Sequence, residues 1–467
     1  MNETLNRDRH DTEDVRPAAP APDPQPAQSL LARWSKWLGG RPQGAADPSR
    51  PAETSALSAR EANRLRTLLQ PCFQARLTDV AANRAARAWQ EQYREADAQR
   101  RGAMLGILAE VGSSAPAPAD AGKEAPSDLS RALSHARVRF FKRLNALPDG
   151  LPFLLALRTD MLAWRGRIPA LQALDADLEG LLSNWFDVGL LELRRMTWDS
   201  PASLLEKLIV YEAVHEIASW TDLRNRLDSD RRCYAFFHPR MPNEPLIFVE
   251  VAFCAEMADN VQSLLDESAP MENLDKARWA IFYSISNTQQ GLRGVSFGNF
   301  LLKRVIEELN AELPKIKRFA TLSPMPGFCD WLKKLDGERI AELAKAEKNG
   351  GAGAEGGSGA DVLARIQQAV EADAPQPAVQ ALAMRLAARY LVERKGPLPL
   401  DSVARFHLGN GARIERLNWK ADLSRKGRAQ SCGLMVNYVY ELDALDANLA
   451  KLGDGRPETS RSFARLL

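Results

Sequence analysis

The stretch GLRGVSFGNFLLKRVIEEL, Gly291 to Leu309, joins a glycine-bearing turn to the start of an amphipathic pattern. Apolar residues recur at Phe297, Leu301 and Val305, with Leu302, Ile306 and Leu309 beside them. Lys303, Arg304, Glu307 and Glu308 fall on the polar side. The first N–H groups of such a helix lack partners, and with the helix dipole they favour an anion such as pyrophosphate. Glycine lets a phosphate come close to the backbone. The Gly-Lys-Ser/Thr ending of a nucleotide P-loop is missing, so a phosphate held here would be held without that lysine. An ordinary strand–loop–helix connection fits the same pattern, and both readings stand.

Metal chemistry finds no support in the sequence. Cys72, Cys233, Cys254, Cys329 and Cys432 are odd in number and spread out, with no C-x-x-C. They read as reduced thiols rather than a disulfide framework or a zinc site. His10, His135, His215, His238 and His407 show no ligand spacing either, so no metal is expected. Lys+Arg 62 against Asp+Glu 60 leaves a net charge of +2, which recruits neither nucleic acid nor an anionic membrane. The polar N-terminus has no apolar signal segment, and apolar runs such as PLIFVEVAF are too short to span a bilayer. A cytoplasmic protein is expected.

The positioning elements divide the 467 residues into three parts. Residues 1–55 are a Pro/Ala-rich tail that reads as disordered. Residues 56–190 carry helical spacing, interrupted by SSAPAPADAGKEAPSD, and read as an all-α bundle. From 191 to 467 β-branched and aromatic runs alternate with helices: 233–239, 245–253, 279–286, 318–324 and 433–442. PRMPNEP suggests a hairpin between the first two. The run at 279–286, the glycine turn with its helix, and the run at 318–324 make a β-α-β unit. Residues 348–360, KNGGAGAEGGSGA, read as a flexible loop. The fold class expected is α+β.

Arg293-Gly294-Val295-Ser296-Phe297-Gly298 resembles the pyrophosphate loop of the GCN5-related acetyltransferase (GNAT) fold, with Ser296 in place of the first glycine. Longer stretches, in order, are similar to malonyl-CoA decarboxylases: WFDVGLLELRRMTWDSPASLLEKL, RRCYAFFHPRMPNEPLIFVEVAF, AIFYSISNTQQGLRGVSFGNFLLKRV, FATLSPMPGFCDWL and FHLGNGARIERLNWKADLSRKG…SCGLMVNYVYEL. The likeness runs over roughly residues 60 to 445. It implies a helical domain that mediates homotetramer formation, although its apolar faces could equally form one closed core. It also implies a GNAT-like α/β catalytic domain that converts malonyl-CoA to acetyl-CoA and carbon dioxide, a step of fatty-acid metabolism. No cofactor is implied, since coenzyme A belongs to the substrate.

The resemblance also names residues. Ser323 in TLSPMPGF matches the family's serine, suited to orient the malonyl carboxylate. On its own it reads as the cap of a helix starting near Phe328. His407 in RFHLGNGA matches the family's histidine, an imidazole that titrates near neutral pH and can deliver a proton. Without the likeness it reads as a packed structural residue. Arg293, Gly294, Val295, Ser296, Phe297, Gly298 and Asn299 are assigned to coenzyme A. Tyr440 and Asn437 stand in a second tier, and SRKGR, 424–428, reads as a 3′-phosphate contact or a solvated basic loop. An acyltransferase of the same fold and a silent binding module remain as alternatives. The end Arg465-Leu466-Leu467 departs from the Ser-Lys-Leu of animal relatives and gives no basis for a peroxisomal address.

Overall fold

The structure, a computed structural model, describes residues 57–467 apart from 75, 77, 115–125, 229, 296–300 and 345–357. The Pro/Ala-rich tail, Ser296 to Asn299 of the glycine turn, and most of the 348–360 loop lie outside the described residues.

Helices come first. Ala59–Gln74, Val80–Glu95, Ala98–Ser114, Pro126–Asn145, Gly150–Trp164 and Leu171–Trp185 pack as a bundle. Asp79 starts the second by accepting from the Ala82 N–H. Ala98–Ser114 and Gly150–Trp164 each bury about half of their residues, from Gly102 to Gly112 in the first and from Gly150 to Met161 in the second. Phe73 stacks on Phe140 at 4.6 Å, with Trp89 edge-on to Phe140 at 5.6 Å.

The helices stop at Trp185 and the first strand starts at Glu192. The strands are β1 (Glu192–Met196), β2 (Arg231–His238), β3 (Met241–Cys254), β4 (Trp279–Asn287), β5 (Arg318–Thr321), β6 (Ser323–Pro324), β7 (Arg394–Lys395), β8 (Leu398–Pro399), β9 (Arg413–Asn418) and β10 (Met435–Tyr440). The main sheet runs β1-β2-β3-β4-β5-β10-β6, with β9 on β10. One apolar core runs from Leu65 in the first helix to Tyr440 in the last strand, without a break near residue 190.

Every run read as a strand forms one, except 318–324, which divides into β5 and β6, and the fold is a mixed α+β arrangement with helices ahead of a mixed sheet. The hairpin is tighter than PRMPNEP suggested. His238 pairs with Met241, so Pro239 and Arg240 form the turn and Met241 to Pro245 belong to β3, accommodated by register shifts after Phe236 and Phe237. Two strands of the main sheet escaped the sequence reading, as did the short pair β7 and β8. β1, ELRRM, and β9, RIERLN, are rich in charge and carry no apolar run. His215 lies in a bend beyond the helix Ala202–Tyr211.

The β-α-β unit creates the space for a site. β4 and β5 pair in parallel from Trp279–Arg318 to Phe282–Thr321, with the helix Leu301–Glu312 crossing between them. The Leu322 N–H donates to the Phe282 carbonyl at 3.0 Å, and there the two strands part. β4 continues to Asn287, while the other chain turns away as β6 to pair with β10. A wedge opens between them.

Candidate active site

Ser323 stands at the point of the wedge. Its strand pairs with β10 through Ser323–Val436 and is stopped by Pro324 and Pro326. The next helix, Phe328–Lys333, is preceded by Gly327 at its N-cap position, so Ser323 is not its cap. The Ser323 hydroxyl donates to Thr321 Oγ1 at 2.9 Å and lies 3.0 Å from His407 Nε2.

His407 is carried by the helix Ser402–Gly409, packed under β10. Asp401 starts that helix, accepting from the Val403 and Ala404 N–H groups at 3.0 and 2.7 Å. The other carboxylate oxygen of Asp401 accepts from Tyr390 Oη at 2.9 Å. The imidazole stacks on Tyr438 at 4.6 Å, and its Nδ1 lies 2.8 Å from Tyr440 Oη. Tyr438 and Tyr440 are two apart on β10 and share a face.

Burial sets the charge of this group. His407 is 2% exposed and Ser323 6%. With no charged partner to offset the loss of water, the His407 pKa is pushed down to about 3. Burial also raises the Tyr440 phenol well above its usual value. At neutral pH the unliganded group therefore consists of a neutral imidazole, a phenol and two hydroxyls. A neutral imidazole has one N–H. With Ser323 donating to Thr321, that N–H sits on Nε2 and donates to Ser323, while Tyr440 donates to Nδ1. The chain of donors runs Tyr440, His407, Ser323, and the Ser323 hydrogen is the one a ligand can claim. Burial thus moves His407 below the near-neutral range expected of an imidazole.

The same burial predicts acid sensitivity. The folded-state pKa of about 3 lies below the ordinary histidine value near ~6.5. Between the two, the unfolded chain binds a proton that the folded chain refuses. Stability is full above the unfolded value and is lost as pH falls towards the folded one. His215, pushed down to about 4 chiefly by burial, adds in the same direction. The denaturation midpoint is expected to be clearly lower at pH ~4.5 than at pH ~7, and the drop to be smaller in His407→Gln. Equal midpoints at the two pH values would contradict it.

A cavity of about 400 Å³ fills the wedge and ends on Ser323 and His407. Phe282 and Ile285 of β4, Val295 and Leu301 at the two ends of the glycine turn, and Phe406 make it largely apolar. Among the described residues that line it, Arg405 is the one lysine, arginine or carboxylate.

The other residues singled out in the sequence fall differently. Val295 is buried at the cavity, Gly294 has a φ of +85°, and Arg293 is exposed. Gly291 serves packing: a Cβ on it would stand 2.2 Å from the Leu155 carbonyl oxygen of the helix Gly150–Trp164. Asn437 bonds none of Ser323, His407 and Tyr440. Its amide donates to the Ala258 and Thr321 carbonyls and accepts from Asn418 and Arg416, tying β9 to the sheet. SRKGR is largely exposed but belongs to a helix rather than a loop. Ser424 caps the helix Arg425–Ser431, and Lys426 Nζ donates to the Ala213 and Val214 carbonyls. Among the described residues there is no group of three or more His, Cys, Asp or Glu placed to hold a metal, and no helix long and apolar enough to cross a membrane.

A family profile described as the malonyl-CoA decarboxylase C-terminal domain matches residues 189–466, and one for the N-terminal domain matches residues 110–186. The chain belongs to the malonyl-CoA decarboxylase family. Among its relatives, the malonyl-CoA decarboxylase of Cupriavidus metallidurans has a solved structure that is 59% identical, with a TM-score of 0.75, over 87% of this chain and 100% of that one. The Rhodopseudomonas palustris malonyl-CoA decarboxylase structure is 38% identical, with a TM-score of 0.72, over 88% and 100%. The mitochondrial malonyl-CoA decarboxylase of the goose Anser anser anser is 40% identical over 66% of this chain. That match spans 65% of the goose chain, slightly under two thirds of it. The rat mitochondrial protein is 38% identical over 70% of each chain. In this malonyl-CoA decarboxylase family member, Thr321, Tyr438, Asp401 and Tyr390 are site neighbours that sequence reasoning missed. Two signals were available: Thr321 is two residues from Ser323 in extended chain, and Asp401 precedes the helical run SVARFHL in the manner of an N-cap.

Proposed function

We propose that this chain decarboxylates malonyl-CoA to acetyl-CoA and carbon dioxide, with Ser323 and His407 as its catalytic residues. The observation that carries the reading is the donor chain Tyr440–His407–Ser323 ending in an apolar cavity at the parting of β4 and β5. Loss of carbon dioxide from a malonyl thioester leaves an enolate, so the substrate supplies its own electron sink. In a cavity lined by Phe282, Ile285 and Val295, a carboxylate gives up much of its hydration, which favours its departure as neutral carbon dioxide. Backbone N–H groups of β4 beyond Phe282, where no strand pairs on that side, suit the enolate oxygen. The Ser323 hydroxyl first orients the carboxylate and then gives its proton to the α-carbon. His407 Nε2–H restores it, the Tyr440 hydroxyl restores the imidazole in turn, and a proton taken up from solvent returns the phenol to its neutral form. Each transfer stays within groups that are neutral at rest, which suits a site that disfavours charge.

We further infer a GNAT-like catalytic domain over 191–467, on the parallel β4–β5 pair inside an otherwise antiparallel sheet, with the glycine turn receiving the pyrophosphate of coenzyme A. Self-association through the helical domain as a homotetramer goes with this reading. Exposed Val80 and Leu129 on the bundle supply apolar surface for it, and native mass measurement tests it. A cytoplasmic location is inferred with it.

The reaction is tested by mixing the protein with malonyl-CoA, no acyl acceptor and a chelator. Acetyl-CoA and carbon dioxide are expected in equal amounts. Malonyl-CoA left intact until an amine acceptor is added would replace this reading with acyl transfer.

A further inference from the structure

Cys329 and Cys432 are 103 residues apart in sequence, and their sulfurs meet at 3.0 Å. Both side chains are buried. Cys329 is the second residue of the helix Phe328–Lys333, which begins directly beyond the turn Pro324 to Gly327 that follows Ser323. Cys432 ends the helix Arg425–Ser431 in left-handed backbone, φ 51°, and leads into β10 with Tyr438 and Tyr440. The two segments are already joined by the Met325 N–H donating to Ser431 Oγ at 3.0 Å. The sulfur pair thus spans the two pieces of chain that bring Ser323 and the tyrosines to His407.

The remaining thiols have a different character. Burial pushes Cys72 and Cys254 up to about 11 and Cys233 well above its usual value, which keeps all three as unreactive thiols. Cys329 is drawn the other way by its contact with Cys432, whose own thiol is driven up. A groove of about 610 Å³ between the helices Gly359–Glu371 and Arg425–Ser431 reaches Cys432, with Arg425 and Arg428 on its wall. That is a route for a small polar oxidant.

We propose that Cys329 and Cys432 form a reversible intrachain disulfide when the protein meets a peroxide, and that the cross-link slows the reaction at Ser323. A thiolate of the pair attacks one peroxide oxygen, the O–O bond breaks, and a sulfenic acid and water result. The second sulfur attacks the sulfenic sulfur, forming the S–S bond and releasing another water. The peroxide is reduced to two waters and the two thiols are oxidised; a dithiol reverses the step by exchange. Bond formation draws the sulfurs closer than their present contact and pulls the Phe328–Lys333 helix towards β10. The turn behind Ser323 moves with it, and the 3.0 Å bond to His407 is at stake. A displacement on the order of 1 Å at reacting groups lowers rates by up to about 100-fold. The rate effect rests on the proposed role of Ser323; formation of the bond does not.

The test treats the intact protein with hydrogen peroxide, measures its mass and maps its peptides, and follows malonyl-CoA turnover before and after dithiothreitol. The expected result is loss of two hydrogens, one linked peptide pair containing Cys329 and Cys432, and roughly ten-fold slower turnover. Dithiothreitol restores both mass and rate. Cys329→Ala and Cys432→Ala chains keep their rate through the treatment. Oxygen adducts without the linked pair, or equal peroxide sensitivity in the variants, would overturn the proposal. A linked pair with unchanged turnover would overturn its effect on the reaction. A protein that forms the pair yet never turns over malonyl-CoA leaves the disulfide standing and removes the proposed function instead.

Discussion

Malonyl-CoA turnover is expected to fall roughly 100-fold to 10,000-fold in His407→Ala, the range that general acid–base groups contribute. The imidazole is the middle of the donor chain, 3.0 Å from Ser323 and 2.8 Å from Tyr440, and no other titratable side chain among the described residues touches both. Its removal leaves Ser323 able to orient the carboxylate but unable to recover the proton it gives up. Ser323→Ala is expected to lose a similar factor, because the hydrogen that a bound carboxylate would claim from Thr321 is lost with the hydroxyl. Tyr440→Phe keeps the imidazole stacked on Tyr438 and removes only the last donor, so its loss is expected to be smaller. Steady-state rates alongside near-ultraviolet circular dichroism separate lost chemistry from lost folding. Folded variants that retain full turnover would sink the assignment. The pH profile adds a second check. With His407 held neutral down to about pH 3, no acid limb between pH ~5 and ~8 should belong to it. A limb near pH ~6.5 that disappears in His407→Gln would show an imidazolium in the working enzyme and exclude the neutral relay.

The central sheet was legible because its strands are buried on both faces. β2 is buried at all its residues and β3 over most of its length, so each reads as an apolar run with no alternation to confuse it. β1 and β9 were illegible for the opposite reason. Their side chains are largely charged, and what makes them strands is pairing with β2 and β10, not their own composition.

The site was legible only in part. Ser323, His407 and Tyr440 come from segments separated by 84 and 33 residues, and no local pattern links such distant positions. The resemblance supplied all three. Asn437 and Tyr440 are three apart on a strand, so their side chains leave opposite faces, and only one of them can reach a site below β10. The depressed titration of His407 was beyond sequence reasoning, since it depends on how completely neighbouring elements close over the ring. Gly291, at the head of the turn whose residues 293–299 were assigned to coenzyme A, faces a helix. A glycine in sequence reports that something comes close to the backbone; whether that is a ligand or another helix is decided elsewhere in the chain.

That helix carries the second large effect. Arg158, on Gly150–Trp164, is 1% exposed. Its Nη1 donates to the Gly291 carbonyl at 2.8 Å and its Nε to Asp175 at 2.8 Å, while Nη2 meets Glu179. Arg158→Ala is expected to destabilise the protein by roughly 3–5 kcal/mol, the usual cost of removing one partner of a buried ion pair. Three groups lose their donor at once. Asp175 is left charged at a mostly buried position, Glu179 loses its cation, and the Gly291 carbonyl has nothing to accept from where water is scarce. The consequence reaches the site because Gly291 opens the turn whose Val295 lines the cavity. Urea denaturation should show the loss in midpoint, and the Michaelis constant for malonyl-CoA should rise more than kcat falls. Gly291→Ala disturbs the same junction without touching a charge, since its Cβ would collide with the Leu155 carbonyl. If Gly291→Ala raises the Michaelis constant as Arg158→Ala does, the helical bundle sets the position of the turn. If Arg158→Ala lowers stability and Gly291→Ala leaves the Michaelis constant unchanged, the arginine holds the bundle together and the turn keeps its place without it.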